Sequence, residues 1–291
     1  MIYQFMAEHK HQFPILKMSK VFNVSTSGFY RWLKAKPSPR TKENQALNVA
    51  IAKHWKASYR SYGAPRIHQA LLRQGWRVSR PRVARLMRKA GIASHIRPKW
   101  IATTNSEHSQ PIAPNLLNRN FIPEELSKVW VSDITFLPGE DGWLYLTTII
   151  DLCDRQVIGW ALSKTMEARD TTIAAFKQAV ANRKPKAGMI FHSDRGKQYA
   201  AKAFRNLLNE YHMEQSMSRK GNCWDNAPAE SFFKSLKYEA QMPSRFASYN
   251  QARRVLFDYI ECWYNRNRLH STLGYRPPKE VEQQLIQKIA A

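Results

Sequence analysis

From residue 128 onward the chain changes its period, and that change limits the folds open to it. "KVWVSDITFLP", "WLYLTTIIDLC" and "QVIGWALS" are successive runs rich in β-branched and aromatic residues, broken by Gly139, Asp141 and Gly142 and by Asp154-Arg155. Runs of that composition separated by short turn signals predict hairpin-connected strands. A helix near 168–182, a short strand "GMIFHS", a helix near 201–210, a short strand near 213–217 and a long helix from about 227 follow. The order β-β-β-α-β-α-β-α predicts an α/β unit, a mixed sheet with helices on its faces. A further helix, 248 to about 266, carries Leu256, Tyr259, Ile260 and Trp263, and no internal repeat is present.

The front of the chain has the helical period instead. "PILKMSKVF" and "STSGFYRWLKA" predict two short helices around a turn, with Pro14 near the first start and Ser25 as the second cap, a helix-turn-helix in outline. "KAKPSPRTKEN" predicts a linker. A second unit follows. Leu47, Ala50, Ile51 and Trp55 form one helical stripe, and "APRIHQALLRQG" starts with Pro65 and ends at Gly75. In the third helix Ser79 is the expected cap, Val83, Leu86, Met87 and Ala90 repeat at helical spacing, and Gly91 ends it. Arg80, Arg82, Arg85, Arg88 and Lys89 fall mainly off that stripe with no acid to pair them, which points to a DNA-facing helix; a solvated charged face is the alternative. The polar, proline-bearing stretch from about 96 to 125 reads as an interdomain linker.

Charge supports this division. The net charge is +24, and residues 1–100 hold 21 lysines and arginines against two acids, Glu8 and Glu43, leaving 25 against 20 for the rest. A front third so basic is suited to phosphates, with a ribosomal-type or generally basic protein as the competing reading. The hydrophobic fraction of 43% is enough for a sizeable core and argues against disorder. No run approaches the ~20 apolar residues of a membrane span, and the start lacks the order of a secretory signal, so the chain reads as intracellular. Cys153, Cys223 and Cys262 show no CxxC spacing, which supports neither a disulfide framework nor a zinc site.

Three acids stand at distinct positions: Asp133 inside the first strand, Asp194 just after the fourth, Glu230 in the first turn of the long helix. An ionised side chain among the apolar residues of "VWVSDITF" is costly unless something compensates it. Asp194 follows a strand end, where open α/β sheets line a crevice. If strands one and four are neighbours, the two aspartates meet. Clustered carboxylates repel one another and DNA alike, and a divalent cation removes both conflicts. Mg²⁺ or Mn²⁺ prefers oxygen ligands, and two ions ~4 Å apart can bridge a phosphate, with Asp133 on both ions and Asp194 and Glu230 on one each. Taken singly, each acid has an ordinary structural reading: a buried ion-pair partner, a turn residue, a helix-start acid favoured by the macrodipole.

Sixty residues lie between Asp133 and Asp194 and 35 between Asp194 and Glu230. With "VWVSDITF", "FHSDRGKQY", "GNCWDNAPAESFFKSLKYE" and "YIECWYNRNRLHSTLGYRPP", and with "SKVFNVSTSGFYRWLKA" and "YGAPRIHQALLRQGWRVSRPRVARLMRKAGI" ahead of them, the chain resembles the integrase-like DDE transposases of the insertion sequence 3 family, specifically their second-reading-frame product. The resemblance implies an RNase H-like, retroviral-integrase-type catalytic core that nicks transposon ends to free a 3′ hydroxyl and uses that hydroxyl to attack another phosphodiester. It implies Mg²⁺ with Mn²⁺ as substitute, double-stranded DNA as partner (terminal repeats and target), a homo-oligomer on DNA, a first-reading-frame partner or fusion, and a prokaryotic, cytoplasmic, nucleoid-associated setting. The expected organisation is a helix-turn-helix-like segment at 1–40, a basic helical DNA-binding domain at 43–95, the linker at 96–125, the catalytic core at 126–245 and a helical extension at 246–291.

Lys237, seven residues after Glu230, and Lys234 at i+4 are the expected DNA contacts on the long helix, since both follow the glutamate along one face. Lys197 departs from the small serine frequent in the "SDRGSQ" block, and no His/Cys zinc set precedes the core. Asn226 and Pro228 are read as capping and starting the long helix, Trp224 as core with base-stacking as the alternative, and His192 as structural. "YNRNRLHSTLGY" is read either as a stacking and phosphate-contact segment, with Tyr264, Arg266, Arg268, His270 and Tyr275, or as a packed C-terminal cap.

Overall fold

The computed structural model describes residues 1–94 and 110–290 and divides into two compact units, Met1–Ala52 and Lys53–Ala291. In the first, α1 (Ile2–Glu8), α2 (Ile15–Val21) and α3 (Thr26–Lys34) close around Met6, Met18 and Phe29. The Ser25 hydroxyl caps α3, accepting from the Gly28 N–H at 3.0 Å. The proline-rich stretch expected to link is helical from Pro39, where α4 (Pro39–Ala57) begins. A proline costs nothing at a helix start, and the Ser38 hydroxyl accepts from the Thr41 N–H at 3.1 Å.

The second unit opens with α5 (Ala64–Arg73) and α6 (Arg80–Lys89). Val83, Leu86 and Met87 are buried, as the stripe requires, but Ala90 is exposed one step past the helix. Ser79 occupies the cap position without a side-chain bond; Gly75 and Gly91 follow α5 and α6 at positive φ, where glycine avoids the Cβ clash. The stretch expected as a linker lies outside the described residues over 95–109. Over 110–125 it is irregular but tied down: Leu117 is buried, and the Leu116 N–H donates to the Ser216 hydroxyl at 2.9 Å.

β1 (Val129–Gly139), β2 (Gly142–Asp151) and β3 (Val157–Ser163) form the antiparallel meander that the three runs predict. After α7 (Thr172–Asn182), β4 (Ile190–Ser193) pairs parallel with β1; after α8 (Lys197–Ala200) and α9 (Lys202–Glu210), β5 (Glu214–Met217) pairs parallel with β4. The strand order is β3-β2-β1-β4-β5. Gly159 lets α7 approach β3 closely, since a Cβ there would lie 2.4 Å from the Ala175 carbonyl oxygen.

Alternation along β1 sorts its side chains between two cores. Trp130 packs with Phe176, Phe191 and Phe204 under α7 and α9. Val129, Val131 and Leu137 pack with Phe232, Phe233 and Leu236 of α10 (Ala227–Glu239). Each of these α10 side chains contributes roughly 1.5–3 kcal/mol by leaving water. Asp133 has the parity of Val129 and Val131 and therefore faces α10.

The helix expected over 248–266 begins as α11 (Tyr249–Phe257) and continues as a π-helical turn, Asp258–Tyr264. α12 (Pro278–Ala290) completes the helical extension expected over 246–291. The "YNRNRLHSTLGY" segment is the packed cap of the two readings. Tyr264, Arg268 and His270 are buried, and Arg268 grips Glu239 of α10 in a bidentate pair at 2.8 and 2.9 Å. α5 and the residues just before it join the same network within this unit: the Leu269 N–H donates to the Tyr62 hydroxyl at 2.7 Å, and Arg66 Nε of α5 donates to the Leu269 carbonyl at 3.1 Å.

Candidate active site

The parallel pairing of β1 with β4 sets Ser132 opposite Ser193. Asp133 and Asp194 each follow that last paired position, so the two carboxylates leave neighbouring strands side by side. Asp133 Oδ1 accepts from the Ile134 N–H at 2.8 Å, and Asp194 Oδ1 accepts from the Gly196 N–H at 3.0 Å. The third acid arrives on α10. Asn226 stands at the cap position of α10 but does not cap it; its Nδ2 donates to the Ser132 carbonyl at 3.0 Å, fixing the helix start to the strand beside Asp133. Pro228 occupies the first turn as expected.

The electrostatics show that the three acids are neighbours. Burial pushes the Asp133 carboxyl well above the usual carboxylate range, the Asp194 charge pushes it further, and Glu230 adds to both. Glu230 is raised too, by burial and then by Asp194. Lys237 is the counterweight: burial lowers its ammonium pKa while the Asp133 carboxylate opposes that shift. Thus Lys237 couples to Asp133 on the same helix whose Glu230 feels the Asp194 charge. Lys234 is exposed on the same helix.

Beneath the carboxylates the floor is closed. Tyr199 and Ser132 share a hydrogen bond of 2.8 Å, and burial followed by the charges of Asp194 and Asp133 holds the phenol well above its ordinary pKa. His192 is the structural residue expected: buried between the Ser216 and Ser218 hydroxyls at 2.8 and 3.3 Å, it is pushed down to about 4 by desolvation. Lys197 is exposed at the start of α8.

Two features escaped the sequence reading. Asp225 is fully buried and accepts from Asn115, Arg119 and Arg219 at 2.7–3.0 Å, anchoring the turn before α10 to residues that read as linker. Only the pairing of "WDN" with a proline hinted at a fixed turn there. Trp224, expected in the core, is 68% exposed. The reason is local: Asp225 and Asn226 take the inward positions of the 3₁₀ turn Cys223–Asn226, and the indole is left outside.

The α6 cations form a separate cationic face. Arg80, Arg85, Arg88 and Lys89 are exposed and Arg82 is partly so. Among the described residues, no three His, Cys, Asp or Glu side chains stand closely enough to enclose an ion in the conformation shown, and no helix is long and apolar enough to cross a membrane.

A mixed sheet with aspartates at the ends of its adjacent parallel strands and a glutamate on the helix packed across them defines the class: an RNase H-like integrase core, the fold of polynucleotidyl transferases. The family described as "Integrase core domain" matches residues 124–223 and again 211–278, and "HTH-like domain" matches 42–100, which together indicate a DNA-binding protein. Over 94% of this chain and all of the relative, the sequence is 39% identical to the "Insertion element IS600 uncharacterized 31 kDa protein" of Shigella sonnei. It is 36% identical to the "Transposase InsF for insertion sequence IS3A" of Escherichia coli strain K12, covering 97% of this chain and 98% of that one. The chain belongs to the insertion sequence 3 family of transposases and fits its second-reading-frame product. Among solved structures, the HTLV-2 integrase catalytic core domain in complex with magnesium is similar at 15% identity and a TM-score of 0.41, covering 55% of this chain and 97% of that one, too loose a likeness to add to the topology.

Proposed function

We propose that this chain cuts and joins DNA strands at the ends of its insertion sequence, with Asp133, Asp194 and Glu230 as the ligands of Mg²⁺ (Mn²⁺ as substitute), two ions in all. The observation that carries the reading is geometric: Asp133 and Asp194 follow the last paired residues of two adjacent parallel strands, and Glu230 stands in the first turn of the helix whose start is bonded to that strand. The donor set fits the ions: carboxylate oxygens are hard ligands, and like charges held together by the fold need a cation more than another hydrogen bond. Glu230, exposed on the first turn of α10, has the side-chain freedom to close on an ion held by the two strand-end aspartates. Bound there, the ions would activate the attacking oxygen and stabilise the leaving one.

The chemistry is two phosphoryl transfers. In the first, water attacks the phosphodiester at the element's end, the bond from phosphorus to the 3′ oxygen breaks, and that oxygen leaves as a hydroxyl. In the second, the freed hydroxyl attacks another phosphodiester and displaces its 3′ oxygen, so the number of phosphodiester bonds is conserved. Lys237 neutralises part of the Asp133 charge and reaches the DNA backbone beyond it, with Lys234 further out. Arg80, Arg82, Arg85, Arg88 and Lys89 contact phosphates of the terminal repeat, in a basic unit over 43–95 that precedes the core at 126–245. The chain acts as a homo-oligomer on DNA.

Incubation of the full chain with end-labelled terminal DNA and Mn²⁺ separates the alternatives. Joined strands are the expected product. Cleavage alone would make the protein a nuclease, and a mobility shift without products would make it a regulator that occupies transposon ends.

A further inference from the structure

Trp224 is the residue whose position the strand chemistry leaves unexplained. Its neighbours Asp225 and Asn226 are 0% and 3% exposed, yet the indole between them and solvent is 68% exposed. An exposed indole forgoes a large hydrophobic gain, and the turn that carries it is not loose. Asp225 receives bonds from Asn115, Arg119 and Arg219, and Asn226 bonds the strand next to Asp133. The ring is therefore displayed on a rigid mount, directly before the helix that presents Glu230. The same turn gathers cations: the Arg119 and Arg219 side chains that bond the adjacent Asp225 are 44% and 50% exposed, and Lys220, next to Arg219 in the chain, is exposed. A flat apolar face on a turn that also carries exposed guanidinium and ammonium groups suits one ligand class above others, a nucleobase with its phosphates close by.

We infer that Trp224 is a base-stacking platform that holds an unpaired nucleobase of the DNA strand bound at the carboxylates, positioning that strand for attack. The inference rests on the proposed function and deepens it: the substrate at the moment of cleavage is a locally opened end, and the indole covers the base that opening exposes. A fully paired duplex offers no free base face, so Trp224 discriminates between opened and closed ends. Its contribution is to binding and positioning, not to the reacting atoms.

The test uses the full chain without divalent metal, so that no strand is cut. The probes are two versions of the element's own terminal duplex, one fully paired and one forked at the end, each with 2-aminopurine at successive positions around the cut site. Stacking on indole quenches 2-aminopurine fluorescence. The wild type should quench one position in the forked probe, and Trp224→Phe should retain the quenching. Trp224→Ala should lose it and bind the forked probe about 5- to 150-fold more weakly, the range that removing one base–aromatic stack gives. Its melting temperature and its affinity for the paired probe should not change, because the indole is not part of the core. Forked-probe affinity and quenching in Trp224→Ala equal to the wild type would overturn the inference and leave the metal-dependent reading intact. So would an equal loss from Trp143→Ala, since that exposed indole sits at the β1–β2 hairpin. A wild type that binds neither probe would overturn the proposed function, and this inference with it.

Discussion

Asp133 sits on a strand face otherwise built of Val129, Val131 and Leu137, where burial and two neighbouring carboxylates disfavour its ionised form. Removing that charge should make the metal-free chain more stable. Asp133→Asn is expected to raise the melting temperature in chelator by about 2–4 °C for each kcal/mol of repulsion relieved. Mg²⁺ should raise the melting temperature of the wild type, by about 2.7 kcal/mol of stability at a hundredfold excess over Kd, and leave Asp133→Asn nearly unmoved. A fall in the chelator melting temperature of the variant would mean that Asp133 is instead a stabilising ion-pair partner. Lys237 is tested separately, because its ammonium couples to the Asp133 carboxylate and is proposed to reach the DNA backbone. Lys237→Ala should weaken end binding and cleavage together while Lys237→Arg keeps much of both. Cleavage by the alanine variant at the wild-type rate across a range of salt would remove Lys237 from the DNA interface.

Among the elements, the strands and the paired aspartates were legible because period-two patterning and a charge in an apolar run are local signals. Trp224 was misplaced because the same reading has no access to which residues of a turn are taken up by distant partners. Arg119 and Asn115, more than 100 positions away, decide that Asp225 faces inward and the indole outward. The C-terminal cap was half legible: its composition fitted stacking on DNA as well as packing, and only the Arg268–Glu239 pair selects between them. A further network was invisible for the same reason. Arg183, at the end of α7, donates to Asp151, Asp154 and Glu282 at 2.7, 2.8 and 2.6 Å, joining β2, the β2–β3 turn and α12. Lys279 also pairs with Glu282, so Arg183 is left with the two buried carboxylates of Asp151 and Asp154, which it does not neutralise alone. Burial above all, and the Asp151 charge, hold Asp154 up at about 6 despite Arg183. A folded-state pKa above the unfolded value of about 3.9 means that folding takes up a proton between the two, so this contribution to stability is present below pH ~4 and lost as pH rises through ~6. Asp154→Asn should flatten the stability profile across that window, measured by thermal melting at a series of pH values. An unchanged slope would show that Asp154 is ionised throughout.

At the scale of the whole molecule the charge asymmetry points to the front of the chain, where the HTH-like domain match lies, as the part proposed to meet DNA. It cannot say that α5 and the residues just before it are bonded into the C-terminal cap, through Tyr62, Arg66 and an Arg73–Glu280 pair. Deleting the chain before the sheet would therefore remove packing along with charge. Substitution on α6 is the cleaner probe. Arg80, Arg85, Arg88 and Lys89 are exposed, so replacing them with alanine should spare the fold and reduce DNA affinity. The dependence of that affinity on log salt should become shallower by about 0.9 for each phosphate the variant no longer neutralises. An unchanged slope would leave α6 as an ordinary solvated face.

The carboxylate centre is tested most directly by comparing strand chemistry and DNA binding in the same preparations of Asp133→Asn, Asp194→Asn and Glu230→Gln. Each substitution removes one proposed metal ligand and one negative charge facing the phosphate, so each should abolish cleavage and joining of labelled end DNA in Mg²⁺ or Mn²⁺ while end affinity stays equal or rises. Full strand-transfer activity in any one of the three would contradict the assignment of that residue to the metal centre.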